Sequence, residues 1–258
     1  MPNMIFKDTI YKSITDKENR RFVDCTGDYN PLHRSEIMGR NTLIAGKFLE
    51  AIALELIVPI IRSNFLNTLE GKISTGFGNP LLIDQTARFD ITGYDNASVK
   101  VMARNTSLPK DAKPVINTKI CMTEKLEYNT PTIEKTYTRI VKKTDVDRYN
   151  ASLNLLPEKR IPLGMALALS APALLRQYKT DHLIADMPKD RMYAFILSNA
   201  RVASHTQKIP IKNIDFGVQR ISKDNIVKRI RLALEASIDG KLLYSAQYGL
   251  VLAPVYNP

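Results

Sequence analysis

Two long apolar segments stand out in the hydrophobic pattern of the chain, each with a glycine near its start. They read LIAGKFLEAIALELI at 43–57 and IPLGMALALSAPALL at 161–175, which predicts two helices buried on most of their surface. A polar helix start precedes each segment. Thr15 and Glu18 in TDKENRRF form a capping box, and Thr144 opens the similar TDVDRY half a chain later. We infer that one repeat unit is used twice.

After each apolar helix the hydrophobic period changes to alternation, which is typical of strands. The even-numbered residues from Ile230 to Ile238 are apolar, and most of their odd-numbered neighbours are polar. Asp239-Gly240 then predicts a hairpin turn into LLYSAQYGLVL. The first half alternates more loosely over 97–104 and continues through a Pro-containing loop at 105–114 into a further strand.

A nearly all-apolar helix among antiparallel strands is buried best when the sheet curls around it. The pattern therefore predicts an α+β fold in which each half is a hotdog unit, a long central helix wrapped by an antiparallel sheet. We expect two such units, residues 1–130 and 131–258, to form a pseudo-twofold double hotdog. The polar stretch KLEYNTPTIEK at 125–135 is the expected crossover between them.

Composition narrows the class of partner. The 258 residues carry a net charge of +11, which favours anionic partners, but no nucleic-acid motif is present. No apolar stretch is long enough to span a bilayer, and the N-terminus lacks the apolar core of a secretory signal, so we expect a cytoplasmic protein that binds no membrane. Cys25 and Cys121 form no CxxC pair, and we expect no metal site and no cofactor.

One loop is present in the first half only. The segment from Thr15 to Gly46 is longer, by about eleven positions, than the segment from Thr144 to Gly164. The extra residues include part of the sequence FVDCTGDYNPLHRS at 22–35. The second half has no matching Asp, Asn-Pro or His. We expect its role to be structural.

The run TGDYNPLH at 26–33 resembles the G-D-x-N-P-[LIV]-H signature of the MaoC-like (R)-specific enoyl-CoA hydratases and related acyl dehydratases, and every fixed position is matched. The resemblance continues through IAG at 44–46 and FGNPL at 77–81. Two departures are a short segment between His33 and Gly46, and Ala45 before the glycine, where many members have His or Pro.

The resemblance implies that Asp28 and His33 are the catalytic pair, with their acid and base roles left open. It also implies the reaction, the interconversion of a trans-2-enoyl thioester and an (R)-3-hydroxyacyl thioester. The partner is then an acyl group carried on CoA or on an acyl carrier protein, and we expect the helix of the second half to accommodate a long or bulky acyl chain. Taken alone, Asp28 is more often a turn residue and His33 a surface histidine, and only their joint occurrence with Gly27, Asn30 and Pro31 favours catalysis.

Three further positions are expected to support substrate binding. Gly46 opens the central helix, whose free amides can stabilise a thioester oxyanion, although close packing also explains a glycine there. Asn30 is expected to orient the loop, and Lys47, with Arg34 and Arg40 nearby, to meet phosphates of the carrier group. His182 and His205 have no acid partner at a recognisable spacing, and we expect them to be structural.

Two rival functions remain open. A hotdog thioesterase can place a carboxylate on the central helix, and Glu50 lies one turn past Gly46. A non-catalytic hotdog protein that binds acyl thioesters is the other rival, and the intact Asp28–His33 pair argues against it. The internal repeat can be complete as a monomer or can form a homodimer.

Overall fold

The computed structural model describes residues 2–28, 30–64, 71–95, 97–122, 135–174, 191–202, 209–224 and 229–254. Its helices are α1 (Asp16–Thr26), α2 (Ser35–Met38), α3 (Gly46–Asn64), α4 (Lys143–Leu153) and α5 (Leu163–Ala168), with short 3-10 turns at Pro31–His33 and Gly39–Asn41. Its strands are β1 (Met4–Ser13), β2 (Gly71–Phe77), β3 (Thr86–Tyr94), β4 (Ser98–Asn105), β5 (Ile116–Met122), β6 (Lys135–Arg139), β7 (Arg191–Val202), β8 (Ile214–Asp224), β9 (Arg229–Ile238) and β10 (Lys241–Pro254). The fold is α+β, as the sequence predicts.

The ten strands form one antiparallel sheet in the order β1-β3-β4-β5-β2-β7-β10-β9-β8-β6. Read inward from either edge, each half contributes its first, third, fourth, fifth and second strand. The two halves meet where β2 pairs with β7, from Gly71 opposite Val202 to Gly76 opposite Leu197. The predicted boundary at residue 130 and most of the expected crossover lie outside the described residues.

The first predicted helix start is confirmed, and the second is shifted. Thr15 caps α1, since its hydroxyl accepts from the Glu18 amide at 3.2 Å while the Glu18 carboxylate accepts from the Thr15 amide at 2.8 Å. The prediction that Thr144 opens the second helix is wrong, because α4 is capped at Lys142, whose amide donates to Asp145 at 3.0 Å. The residue equivalent to Thr15 is therefore Lys142 and not Thr144.

This alignment of Thr15 with Lys142 relates the two halves throughout the region. The helices α1 and α4, called the sister helices below, both have 11 residues and end at a left-handed residue, Gly27 or Asn154. Phe22 and Tyr149 occupy equivalent positions and contact each other with ring centroids 6.0 Å apart. In the same alignment, the loop between the sister helix and the central helix is still longer in the first half, but by nine positions rather than eleven.

The central helices pack against each other and against one face of the sheet. At Gly164 a Cβ would lie 3.2 Å from the Cα of Ala51, so α3 and α5 approach closely there. The predicted second helix is interrupted at Leu169 and is helical again over 170–174. Tyr244 on β10 donates to the carbonyl of Ala166 at 3.0 Å, which holds α5 on the inner face of the sheet.

The alternating segments are strands with one buried face, as predicted. In β9 the side chains from Ile230 to Ile238 at even positions are at most 5 % exposed. Asp239 and Gly240 have φ of 51° and 74°, which confirms the hairpin turn between β9 and β10. Among the described residues, no helix is both long enough and apolar enough to cross a membrane.

Candidate active site

The end of α1 places Asp28 inside the molecule. Gly27 adopts a φ of 77°, and its amide donates to the Val23 carbonyl at 2.8 Å, which closes the helix and turns the chain. A residue with a Cβ is strained in this conformation, so glycine favours the turn. Asp28 follows directly, and it is only 4 % exposed. A carboxylate on a tight loop is thereby held in a mostly buried position.

His33 lies across the same loop from Asp28. Its Nε2 is 3.9 Å from Oδ2 of Asp28, and the two side chains are 11 % and 5 % exposed. Its Nδ1 is 3.0 Å from the carbonyl oxygen of Leu43. Because a carbonyl only accepts, Nδ1 carries the hydrogen, and in the neutral form of the ring Nε2 presents its lone pair towards Asp28.

Asn30 shapes the turn that carries the histidine. Its side-chain Oδ1 accepts from the Leu32 amide at 3.2 Å, and its carbonyl accepts from the His33 amide at 2.9 Å. The first contact is an Asx turn, which Asn favours because its side chain mimics a backbone acceptor. Asn30 therefore bonds only within the loop in these contacts, as expected for a residue that orients it.

Gly46 begins α3, three residues after the carbonyl that holds the His33 ring. Because Gly46 is the first helical residue, its amide has no carbonyl partner within the helix. A Cβ at this position would lie 3.0 Å from Cδ1 of Phe77, so the glycine also allows the ring of Phe77 to pack against the helix start. Close packing therefore explains this glycine, and a role of its amide in binding a thioester oxygen stays a prediction.

Lys47 lies in the core, and the expectation that it meets phosphates is wrong. Its side chain is 0 % exposed, and its Nζ contacts Oε2 of Glu50 at 2.5 Å and Oγ of Ser198 at 3.2 Å. The ammonium also lies 4.4 Å from the ring centroid of Tyr248. Burial alone lowers the pKa of Lys47, but the Glu50 carboxylate outweighs it and raises the pKa above its ordinary value. The ammonium neutralises Glu50 instead of facing solvent.

The other basic residues near the loop remain on the surface. Arg40 is exposed, and the side chain of Arg34 is 43 % exposed with its Nε 3.9 Å from Glu36. Their contact with phosphates stays a prediction. His182 and His205 lie outside the described residues. No three His, Cys, Asp or Glu side chains of the described part of the chain cluster in a way that could hold a metal ion.

Asn19 is a buried residue near the site that sequence reasoning missed. It is 0 % exposed, its Nδ2 donates to the carbonyl of His33 at 3.1 Å, and its Oδ1 accepts from the amide of Ala45 at 3.3 Å. The sequence does hold one signal that could have identified it, because Asn19 is polar at a helix position where the sister helix has the apolar residue Val146.

A cavity of about 430 Å³ lies apart from these residues. Its lining includes Lys72, Arg201 and Gln247. On strands β2, β7 and β10 these residues alternate with the buried positions that face the central helices, so the cavity lies on the opposite face of the sheet. None of Asp28, His33 or Gly46 borders it. The candidate site rests on the loop and helix geometry and not on this cavity.

Comparison with known proteins finds similarity in structure only. No protein-family model matches the chain, and no curated protein matches its sequence. A MaoC-like dehydratase from Phytophthora capsici superimposes with a TM-score of 0.62 at 9 % identity, covering 96 % of this chain and 95 % of that one. A putative MaoC domain protein dehydratase from Chloroflexus aurantiacus gives 0.62 at 10 % identity, with 100 % and 96 % covered.

A putative oleoyl thioesterase from Lactobacillus plantarum is also similar, with a TM-score of 0.54 at 8 % identity and coverage of 97 % and 98 %. Identities this low establish the shared fold and not the reaction. The resemblance noted in the sequence is therefore confirmed at the level of the fold: the chain has the α+β architecture of the MaoC-like dehydratases, which acyl thioesterases share.

Proposed function

We propose that the chain is a double hotdog with one active site, a hydratase or dehydratase that interconverts trans-2-enoyl and (R)-3-hydroxyacyl thioesters. The mirrored strand order and the matching sister helices support two equivalent units. The loop that carries Asp28 and His33 is longer than its counterpart after α4, and the stretch 154–164 of the second half contains neither Asp nor His. The second half therefore has no pair of this kind, and we place the chemistry in the first unit.

The observation that carries the proposal is the geometry of the Asp28–His33 pair. A separation of 3.9 Å is too long for a direct hydrogen bond. One water oxygen at about 2.8 Å from each atom fits between Nε2 and Oδ2. Because Nδ1 is occupied by the Leu43 carbonyl, Nε2 is the ring nitrogen that faces this water. The pair can therefore hold a single water molecule by two acceptors.

The reaction needs only that water and the thioester. In hydration, the water oxygen forms a bond to the β-carbon of the enoyl group while one of its protons passes to the pair. One proton from the pair then reaches the α-carbon, so the pair regains its starting protonation state. Dehydration is the reverse of these steps. No metal, redox cofactor or second reactant is required.

The start of α3 completes the site. As the α-carbon gains electron density, negative charge develops on the thioester oxygen. A free amide at a helix N-terminus stabilises that charge, and the helix dipole adds to the effect. The Gly46 amide lies three residues from the carbonyl that positions His33, so the oxyanion donor and the proton-transfer pair belong to one local framework.

Thioester hydrolysis is the second candidate, favoured by the similarity to the oleoyl thioesterase. The same pair could direct its water at the thioester carbonyl instead of the β-carbon. Glu50, the other carboxylate considered for hydrolysis, is 2 % exposed and neutralised by Lys47. A buried and paired carboxylate is a poor base for attack on a substrate. The two reactions therefore differ in their products and not in their proposed water-binding pair.

The test measures both products on one protein. Purified chain is mixed with crotonyl-CoA, with a longer enoyl-CoA and with an enoyl-acyl carrier protein. Loss of enoyl absorbance reports hydration, and release of free thiol reports hydrolysis. We expect hydration in the wild type and a loss of about 10²-fold or more in Asp28→Asn and His33→Ala. A preference for four-carbon over long substrates would contradict the expectation of a long or bulky acyl chain.

Arg160→Ala provides the control, because Arg160 is an exposed residue of the shorter loop that follows the sister helix in the second unit. It should retain wild-type activity. Thiol release that depends on Asp28 would establish hydrolysis in place of hydration. Absence of both products with all three substrates would show that the proposed reaction is wrong, and non-catalytic binding of acyl thioesters would be the remaining candidate.

A further inference from the structure

Asn19 joins two segments that are separate in the sequence. Its Nδ2 donates to the carbonyl of His33 at 3.1 Å, and its Oδ1 accepts from the amide of Ala45 at 3.3 Å. One segment carries the proposed proton-transfer histidine, and the other leads directly into Gly46 and α3. A single side chain therefore bridges the backbone on both sides of the site.

The bridge adds to a contact already made by the histidine ring. The imidazole Nδ1 bonds the carbonyl of Leu43, two residues before Ala45. Asn19 fixes the backbone of His33, and Leu43 fixes its ring. Helix α1 is itself packed into the core, because Phe22 stacks on Phe48 of α3 with ring centroids 4.4 Å apart. With both restraints, α1 therefore sets the distance between Nε2 and the start of α3.

Burial makes this bridge specific. Asn19 is 0 % exposed, and a buried amide is costly unless its donor and acceptor are both satisfied. Here both functions of the side chain are used, one by each segment. An aliphatic residue of similar volume could fill the space, but it would leave the His33 carbonyl and the Ala45 amide without this partner.

The sister helix provides an internal comparison. The residue equivalent to Asn19 is Val146, which is also 0 % exposed, and it belongs to the half without the catalytic loop. Packing alone is therefore satisfied by valine at this position of the helix. The asparagine side chain occurs in the half that carries the loop with Asp28 and His33.

We propose that Asn19 is a positioning residue, which sets His33 against the N-terminus of α3 through its two backbone hydrogen bonds. The predicted loss of turnover rests on the proposed function. The predicted effect on the His33 imidazole rests on the structure alone. Asn19 does not touch the reacting atoms. Its loss should misplace Nε2 relative to the water and to the oxyanion donor, and displacements of about 1 Å can reduce turnover by about 10²-fold.

The test uses Asn19→Val, which introduces the residue of the sister helix. We expect kcat to fall by about 10- to 100-fold, with KM changed by less than about threefold, because substrate-binding groups remain in place. Nitrogen-15 NMR of the imidazoles should show a changed signal for His33, which the His33→Ala spectrum assigns among the three histidines. Hydrogen exchange of the Ala45 amide should become faster in the same variant.

Asn150→Val is the matched control. Asn150 is a buried asparagine on α4, 2 % exposed, and its sister residue is Val23, so this variant also introduces the residue of the equivalent helix. Neither side-chain polar atom of Asn150 has a hydrogen-bond partner among the described residues. We expect Asn150→Val to keep the wild-type kcat and His33 signal.

The possible outcomes decide between a positioning role and a structural one. A folded Asn19→Val protein with wild-type kcat and an unchanged His33 signal would overturn the inference, as would equal losses in Asn19→Val and Asn150→Val. If Asn19→Val does not fold, Asn19→Ser, too short to reach both segments, is measured in the same way. If the wild type shows no hydration, the proposed function fails, and the imidazole and Ala45 signals still decide the role of Asn19.

Discussion

The buried ion pair between Lys47 and Glu50 provides a strong test of the packing described above. The two side chains are 0 % and 2 % exposed, and their charges are 2.5 Å apart. Replacing Lys47 with methionine preserves most of the side-chain volume and removes the ammonium. Glu50 is then left as an unpaired carboxylate in the core, and its Oε1 already lacks a hydrogen-bond partner within the described residues.

The expected cost follows from the burial of the pair. Breaking a buried pair by removing one partner costs about 3–5 kcal/mol, because the remaining charge is uncompensated. For a chain of this size, each kcal/mol lowers the melting temperature by about 2–4 °C. Lys47→Met should therefore melt about 6–20 °C below the wild type. Replacing both partners, Lys47→Met with Glu50→Leu, should recover most of that loss, since no buried charge remains.

Urea denaturation followed by far-UV circular dichroism measures the differences in unfolding free energy, and a thermal scan followed in the same way measures the differences in melting temperature. The control is Lys143→Met, which removes the exposed ion pair with Asp147, where the side chains are 60 % and 44 % exposed. An exposed pair of this kind contributes at most about 1 kcal/mol. If Lys47→Met costs no more than Lys143→Met, or if the double variant is as unstable as Lys47→Met, the reasoning from burial is refuted.

Three further predictions concern stability. Gly164→Ala should cost about 1–3 kcal/mol in urea, because the added methyl would overlap the Tyr149 hydroxyl and lie 3.2 Å from the Cα of Ala51, and an unchanged midpoint would contradict it. Burial, with the nearby Asp145 carboxylate, raises the pKa of the Cys25 thiol to about 12 from 9.0. The folded thiol thus keeps its proton where the unfolded one ionises, so its contribution is present below pH 9 and is lost, by about 4 kcal/mol, towards pH 12. In urea denaturation across this range, the stability of Cys25→Ala should fall less than that of the wild type, and equal falls would contradict the prediction. Gly240→Ala should cost about 1–2 kcal/mol in thermal unfolding, because φ there is 74°, whereas a loss below about 0.3 kcal/mol would show that the hairpin adjusts.

The local elements of the fold could be predicted from the sequence. The Thr15 capping box, the buried face of β9 and the Asp239-Gly240 hairpin depend on residues within a few positions of one another. The second helix start was misplaced by two residues, because Thr144 resembles a cap while Asp145 caps the Lys142 amide instead. Local competition of this kind between neighbouring caps is decided by the backbone path and not by residue type.

The candidate site was only partly predictable. The residue types and spacing of Asp28 and His33 indicated a pair, since both lie on one short loop. Lys47 was expected to be at the surface because lysine is rarely buried without a partner. Its partner Ser198 is far away along the chain, on a strand of the other half. No local pattern specifies that contact.

The sequence by itself determined the capped start of the first helix, the buried face of β9 with its hairpin turn, and the loop that carries a carboxylate and an imidazole. Periodicity and capping act over a few residues, so they can be recognised without the fold. The tertiary structure decided the tautomer of His33 through Leu43, the bridge made by Asn19 and the burial of Lys47. These features depend on which distant groups the packed sheet and helices bring within hydrogen-bond distance.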